Sequence, residues 1–192
     1  MQQDFEIFME KAKNFHGDMC PGLVIGTRLT IAAMSALGMD PMKRNRELVV
    51  FVEIDRCMTD AVQAITGCSL GHRSLKYFNY GRFAAVFYNQ TSQRAFRVSP
   101  CKRPHMNGED IIQLYRTAPD EELVKLEEVT VKVDPSELPG KPKIIDECSR
   151  CGERVFDNKC VIVDGKLTCL ACANGAYYAV KKSEFPPNEY PA

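Results

Sequence analysis

Cysteines 148, 151, 169 and 172 form two C-x2-C pairs separated by seventeen residues. Each pair can offer two thiolates from one tight turn, and two such knuckles complete the tetrahedral sulfur set that zinc prefers. Gly152, directly after the first pair, permits the sharp turn a knuckle needs. Between the pairs, CVIVDGKLTC carries an Asp164-Gly165 hairpin signal. The segment ANGAYYAVKK after the last cysteine is expected to be a short helix. Knuckle, hairpin, knuckle, helix is the order of a treble-clef type of zinc finger. Four protein ligands leave no open position, so the expected zinc is structural. It would supply folding energy that so small a module cannot obtain from a core. Iron in the same four-sulfur set is the lesser alternative. Cys160, on a predicted hairpin strand, is expected to pack rather than to ligate.

A second group of reactive side chains lies near the start of the chain, in His16-Gly17-Asp18-Met19-Cys20-Pro21-Gly22. Pro21 suits the first position of a helix, which places Cys20 at the N-cap, where the helix dipole and free N–H groups favour a thiolate. His16 stands four residues earlier, in a loop able to fold back over that helix end. Such a Cys-His pair serves either metal binding or nucleophilic chemistry. A third group, Glu53-Ile54-Asp55-Arg56-Cys57-Met58-Thr59-Asp60-Ala61, follows a buried strand, with Cys57 and Asp60 three apart on one helix face. Beyond it, the loop Thr66–Arg73 carries Cys68, His72 and Arg73 between glycines.

Each of these has a plainer reading. Cys57 and Cys68 are equally well read as small buried hydrophobes. His72 is expected to be a solvated loop residue, His105 a helix-start residue, and the KRNR run at 43–46 a solvated turn. Cys101 has no partner in the sequence pattern. The chain before the linker lacks C-x-x-C, which argues against ordinary thioredoxin chemistry there.

The elements that must position these groups follow from periodicity. Residues 3–15 form an amphipathic pattern with Phe5, Phe8, Met9, Ala12 and Phe15 on one side. Pro21 opens a second helix to about Leu37, stopped by Gly38 and apolar nearly all round, which predicts burial. Gly22 and Gly26 on it would admit a close neighbour. The β-branched run ELVVFVEI at 47–54 predicts a strand covered on both faces, followed by a helix over 57–65. Strands are expected at 83–88 and 94–99, joined by the turn NQTSQ, then helices at 108–117 and 120–128, and a strand over 129–133. This order predicts an α+β domain with a central sheet over 1–133. The segment DPSELPGKPK, at 134–143, holds three prolines and a glycine and predicts an extended linker. Residues 144–192 form the zinc-finger domain.

Composition bounds the rest. Hydrophobic residues are 45%, enough to build a core, and the formal net charge is zero, which makes nucleic acid an unexpected partner. The N-terminal residues lack the apolar run of a signal peptide. The most apolar window, 23–39, is interrupted by Arg28 and is too short to span a bilayer. A cytoplasmic protein without membrane contact is expected. Nine cysteines, an odd number, suit metal ligands or reactive thiols in a reducing compartment better than disulfides.

Taken together, HGDMCPG at 16–22, VEIDRCMTDAVQAITGCSLG at 52–71 and YGRFAAVFYN at 80–89 resemble the FmdE family, proteins related to the FmdE component of formylmethanofuran dehydrogenase. The resemblance covers most of residues 4–130, and CSRCGE and CLACANGAYY look like the zinc finger appended in many members. It implies a mixed sheet flanked by helices, thioredoxin-like in outline, and a homodimer. It also implies an association with molybdenum or tungsten formylmethanofuran dehydrogenase subunits, and hence with methanogenesis-related chemistry in anaerobes. The dehydrogenase's catalytic machinery belongs to other subunits, so the resemblance does not make this chain a dehydrogenase. The motif positions carry over as His16, Cys20, Cys57, Asp60 and Cys68, while Gly71-His72-Arg73 departs from the family pattern.

Three functions compete. The leading one is a metal-binding accessory protein in which His16, Cys20 and Cys57, with Asp60, hold a second transition metal beside the structural zinc. Soft thiolates with an imidazole suit zinc, copper or iron more than magnesium. The second is a thiol-dependent enzyme with Cys20 as nucleophile and His16 as base. The third is a regulatory or scaffolding protein that binds a partner through the finger.

Overall fold

A computed structural model describes residues 2–101 and 107–179 of the chain. They divide into two compact units, Met1–Gly140 and Lys141–Ala192.

In the first unit, helices α1 (Gln2–His16) and α2 (Pro21–Ala36) precede strand β1 (Leu48–Val52) and helix α3 (Cys57–Thr66). Strands β2 (Leu75–Tyr77), β3 (Ala85–Asn89) and β4 (Ala95–Pro100) follow, then helices α4 (Gly108–Thr117) and α5 (Asp120–Leu123) and strand β5 (Val124–Glu128). The five strands lie in the order β2-β1-β3-β4-β5. Strand β1 runs parallel to β2 and antiparallel to β3, so the sheet is mixed. The domain is α+β, with helices flanking a mixed sheet.

Alternation along β1 sends Leu48, Val50 and Val52 into one cluster with Phe87 of β3, Val98 of β4 and the apolar stripes of α2 and α3. A second cluster joins Phe5, Met9 and Ala12 of α1 to Leu23 and Val24 of α2, Ala61 of α3 and Tyr115 of α4. Every residue of β1 is buried, as its unbroken β-branched run predicts. The contact between α2 and α3 is a backbone approach. A Cβ at Gly26 would lie 2.7 Å from the Met58 Cα, and one at Gly22 would lie 3.3 Å from the Cys57 Cβ.

Three expectations are corrected here. Residues 120–128 do not form one helix: after a single turn the chain extends as β5, paired with β4 from Phe96↔Glu128 to Pro100↔Val124. Their helix-favouring composition yields to the hydrogen-bonding edge that β4 offers. The alternating segment 129–133 is not a strand, because the sheet ends with the Val129 N–H bond to the Ala95 carbonyl. The short parallel strand β2 was not visible as a pattern. After β5 the chain passes from one sheet edge to the other, where Pro135–Glu137 forms a 3-10 turn, Glu137 pairs with Lys76 of β2 at 3.4 Å, and Arg73 donates to the Ser136 carbonyl. The proline-rich stretch read as an extended linker thus begins as an anchored turn.

The second unit holds two small antiparallel pairs. β6 (Ile145–Glu147) pairs with β7 (Arg154–Phe156), and β8 (Cys160–Val163) pairs with β9 (Lys166–Cys169). The β8–β9 turn places Asp164 and Gly165 at φ 50° and 73°, the left-handed pair that a two-residue hairpin requires. Helix α6 covers Leu170–Asn174. It starts within the last knuckle rather than after it, and Gly175, at φ 93°, ends it, so it shares only Ala173 and Asn174 with the stretch expected to be helical. The remainder of that stretch, from Val180, lies outside the described residues, as does His105. Among the described residues no helix is long and apolar enough to cross a membrane.

Candidate metal centres

Two groups of metal-ligating side chains converge among the described residues. In the C-terminal unit the sulfurs of Cys148, Cys151, Cys169 and Cys172 lie within 4.8 Å of one another. Sulfurs held tetrahedrally at zinc–thiolate distance would stand about 3.8 Å apart, so this set needs little adjustment to close on an ion. The first knuckle turns at Gly152, whose φ of 73° lets its N–H reach the Cys148 carbonyl at 2.8 Å. The second places Cys169 at the N-cap of α6, where its sulfur accepts the Cys172 N–H at 3.4 Å.

The four thiols differ electrostatically. Backbone N–H donors from Cys169, Cys151 and Arg150 bring Cys148 down to about 6, against the opposing effect of burial. Hydrogen bonds with Cys169 and Cys151, then burial, push Cys172 up to about 12. Four thiolates at such distances repel, and a divalent cation relieves that repulsion while displacing the protons. Cys160 faces Cys169 across the hairpin but is outside the four-sulfur set.

In the first unit, ligand atoms of His16, Cys20 and Cys57 also lie within 4.8 Å of one another. Three helix ends bring them together. His16 is the last residue of α1, Cys20 is the N-cap of α2, and Cys57 is the first residue of α3. Pro21 fixes the start of α2, and the Leu23 N–H donates to the Cys20 sulfur at 3.3 Å. Gly22 leaves room for Cys57 opposite. His16 Nδ1 lies 2.7 Å from Asp60 Oδ2, while Nε2 lies 3.8 Å from the Cys20 sulfur. With Nδ1–H donated to the carboxylate, the lone pair of Nε2 faces the thiols. Asp60 is therefore beside the imidazole and outside the three-ligand set. Burial first, then the nearby Cys20, pushes the Cys57 thiol up.

Sequence reasoning missed how the approach to Cys57 is braced. Glu53, on the strand side of the turn into α3, receives both Arg97 Nε and Nη2 at 2.9 Å, and Arg82 Nε stands 2.8 Å away. Its backbone carbonyl accepts the N–H groups of Tyr80 and Arg82, both at 3.2 Å. Burial raises the Glu53 carboxyl, but the hydrogen bonds and charge of Arg97, then Arg82, bring it below the usual carboxylate range. A charged residue ending an otherwise apolar run was the available signal. Its partners, 29 and 44 residues further on, were not legible.

The FmdE family model, described as molybdenum formylmethanofuran dehydrogenase operon, matches residues 15–129. The chain belongs to the FmdE family. A probable S-adenosyl-L-methionine-binding protein of Archaeoglobus fulgidus is 29% identical over an alignment covering 88% of this chain and 53% of that protein. The chain thus spans about half the length of this curated relative. The crystal structure of a tungsten formylmethanofuran dehydrogenase FmdE-like protein from Syntrophus aciditrophicus matches with a TM-score of 0.62 and 24% identity, covering 91% of this chain and 95% of that one. That likeness shows a shared fold.

The FmdE motif positions do not all meet. Cys68 is 3% exposed within the main core, and its S–H points at the Leu48 carbonyl at 3.6 Å. It packs as a small hydrophobe, and burial pushes its thiol up. His72 is exposed, with Nδ1 2.8 Å from Ser69 Oγ. Arg44 and Arg46 are exposed, while Cys101 is half-buried beyond the end of β4.

Proposed function

We propose that this FmdE protein is a metal-binding accessory factor. In this reading His16 Nε2 and the sulfurs of Cys20 and Cys57 hold a transition metal, and Asp60 orients the imidazole. The observation that carries it is the convergence of an imidazole nitrogen and two thiol sulfurs at three helix ends. A carboxylate behind a ligating histidine fixes its tautomer and raises its basicity, which is the role the 2.7 Å Asp60 contact suits. Three protein ligands would leave a position for a substrate or a partner's ligand, unlike the four-sulfur set, for which structural zinc is the reading. The bound metal would supply Lewis acidity or a handle for transfer. The family's description supports molybdenum enzyme subunits as partners, and a homodimer and a cytoplasmic location complete the proposal.

Metal analysis of the full chain, purified anaerobically, tests it. Wild type should carry metal beyond what the finger holds, and Cys57→Ser should lose that excess while keeping the finger's zinc. Asp60→Asn should weaken the site about 10–100-fold in chelator competition. Equal metal content in wild type and Cys57→Ser, before and after addition of zinc, would rule the site out.

The Asp60–His16–Cys20 line also favours a second reading, a thiol nucleophile with an oriented base. It predicts faster alkylation of Cys20 than of Cys57 at neutral pH. It leaves Cys57 without a role, which is why the metal reading ranks first.

A further inference from the structure

Cys20 and Cys57 lie 37 residues apart in the chain and belong to no C-x-x-C motif. In the fold they meet at the facing N-terminal ends of α2 and α3, with sulfurs within 4.8 Å. The helix ends touch through Gly22, where an added Cβ would stand 3.3 Å from the Cys57 Cβ and 3.6 Å from its sulfur. Both cysteines are only partly buried, so a small oxidant can reach them, and a basic atom, His16 Nε2, stands 3.8 Å from the Cys20 sulfur. We propose that Cys20 and Cys57 form a reversible dithiol–disulfide couple that takes up peroxide and, in its oxidised form, cannot hold a metal. For that consequence the couple rests on the metal-site reading above.

The chemistry balances with hydrogen peroxide as oxidant. His16 accepts the Cys20 proton, and the Cys20 sulfur attacks one peroxide oxygen. The O–O bond breaks and hydroxide leaves, to be protonated to water, giving a sulfenic acid on Cys20. The Cys57 sulfur then attacks the Cys20 sulfur, the S–O bond breaks, and the hydroxyl departs as a second water with the Cys57 proton. Two thiols have lost two electrons and the peroxide has gained them. A small dithiol reverses the step through a mixed disulfide. Oxidation consumes two of the three proposed ligands at once, because a disulfide sulfur is a far poorer ligand than a thiolate. Cys68, sealed in the core, stands apart from the exchange.

The test uses the full chain, anaerobic and with its finger loaded with zinc. One equivalent of hydrogen peroxide is added, free thiols are blocked, and the digest is mapped by mass spectrometry. The expected product joins Cys20 to Cys57 with loss of two hydrogens, disappears on dithiothreitol treatment, and fails to form in Cys57→Ser, where a dicarbonyl probe instead traps sulfenic acid on Cys20. Zinc at the N-terminal site should be lost on oxidation and regained on reduction, with the finger's zinc retained. If Cys20–Cys57 linkage forms but the reduced chain never takes a second zinc, the couple stands and the metal-site reading falls. If the reduced chain binds the second zinc but peroxide yields no Cys20–Cys57 linkage, or joins Cys20 only to Cys68 or to finger cysteines, the couple is refuted and the metal site survives.

Discussion

At the scale of single residues, the first unit holds a buried carboxylate, Glu53, outside the candidate metal-ligand set. The Glu53 side chain is 7% exposed and is bound by two guanidinium groups, one of them bidentate. Removing it leaves Arg97 half-buried, with Glu127 3.7 Å from its Nη1, and Arg82 exposed, so Glu53→Ala should cost about 1–3 kcal/mol in denaturant unfolding. The sign of its pH dependence follows from its lowered value. The contribution is complete above the unfolded carboxyl value of about 4.3 and is lost as pH falls from there through the folded value. Wild type should therefore lose stability across that acid window more steeply than Glu53→Ala. Parallel pH profiles for the two proteins would refute the assignment.

At the scale of elements, the site depends on how closely α2 and α3 approach. Gly26 is the point of contact, and a methyl there meets backbone rather than a movable side-chain tip. Gly26→Ala should destabilise the first unit by about 1–3 kcal/mol through overpacking. It should also loosen the convergence of Cys20 and Cys57 at the candidate N-terminal site, since the two helix ends carry them. Gly71→Ala is the matched control. No heavy atom lies within 4 Å of its added Cβ, and its effect should stay within about 0.5 kcal/mol. Urea midpoints for the two variants decide the matter, and an unchanged midpoint for Gly26→Ala would contradict the contact.

At the scale of the whole molecule, the two units owe their stability to different physics. The first has two apolar clusters, one packed on a five-stranded sheet and one among the helices. In the second, the buried residues among those described are Cys148, Thr168 and Cys169, so two candidate ligands make up most of its interior. A unit with so little core would need a bound metal to fold. Treating the full chain with a strong chelator should abolish hydrogen-exchange protection over 141–179 and leave protection of the β1, β3 and β4 amides intact. Retained protection in 141–179 after verified metal removal would show that the unit has a stability of its own.

Spacing along the chain was enough to identify the four-sulfur group, because each knuckle is a local turn and local turns are written in neighbouring residues. The same holds for the N-cap position of Cys20, the hairpin at Asp164-Gly165, the buried run of β1 and the small-residue gap in α2. What spacing could not decide was any outcome that depended on a distant partner. The helix-favouring stretch 124–128 became a strand because β4 presented an unpaired edge. Cys57 and Cys68, indistinguishable as thiols eleven residues apart, separated into a site residue and a core residue. Cys57 opens α3 beside the N-terminus of α2, whereas Cys68 follows α3 into the core. Asp60 shares the Cys57 helix, yet it lies against His16 at Nδ1, outside the ligand set. Side-chain type and local geometry are properties of sequence. Which thiol meets which imidazole is set by the packing of three helix ends, and that is decided only when the core closes.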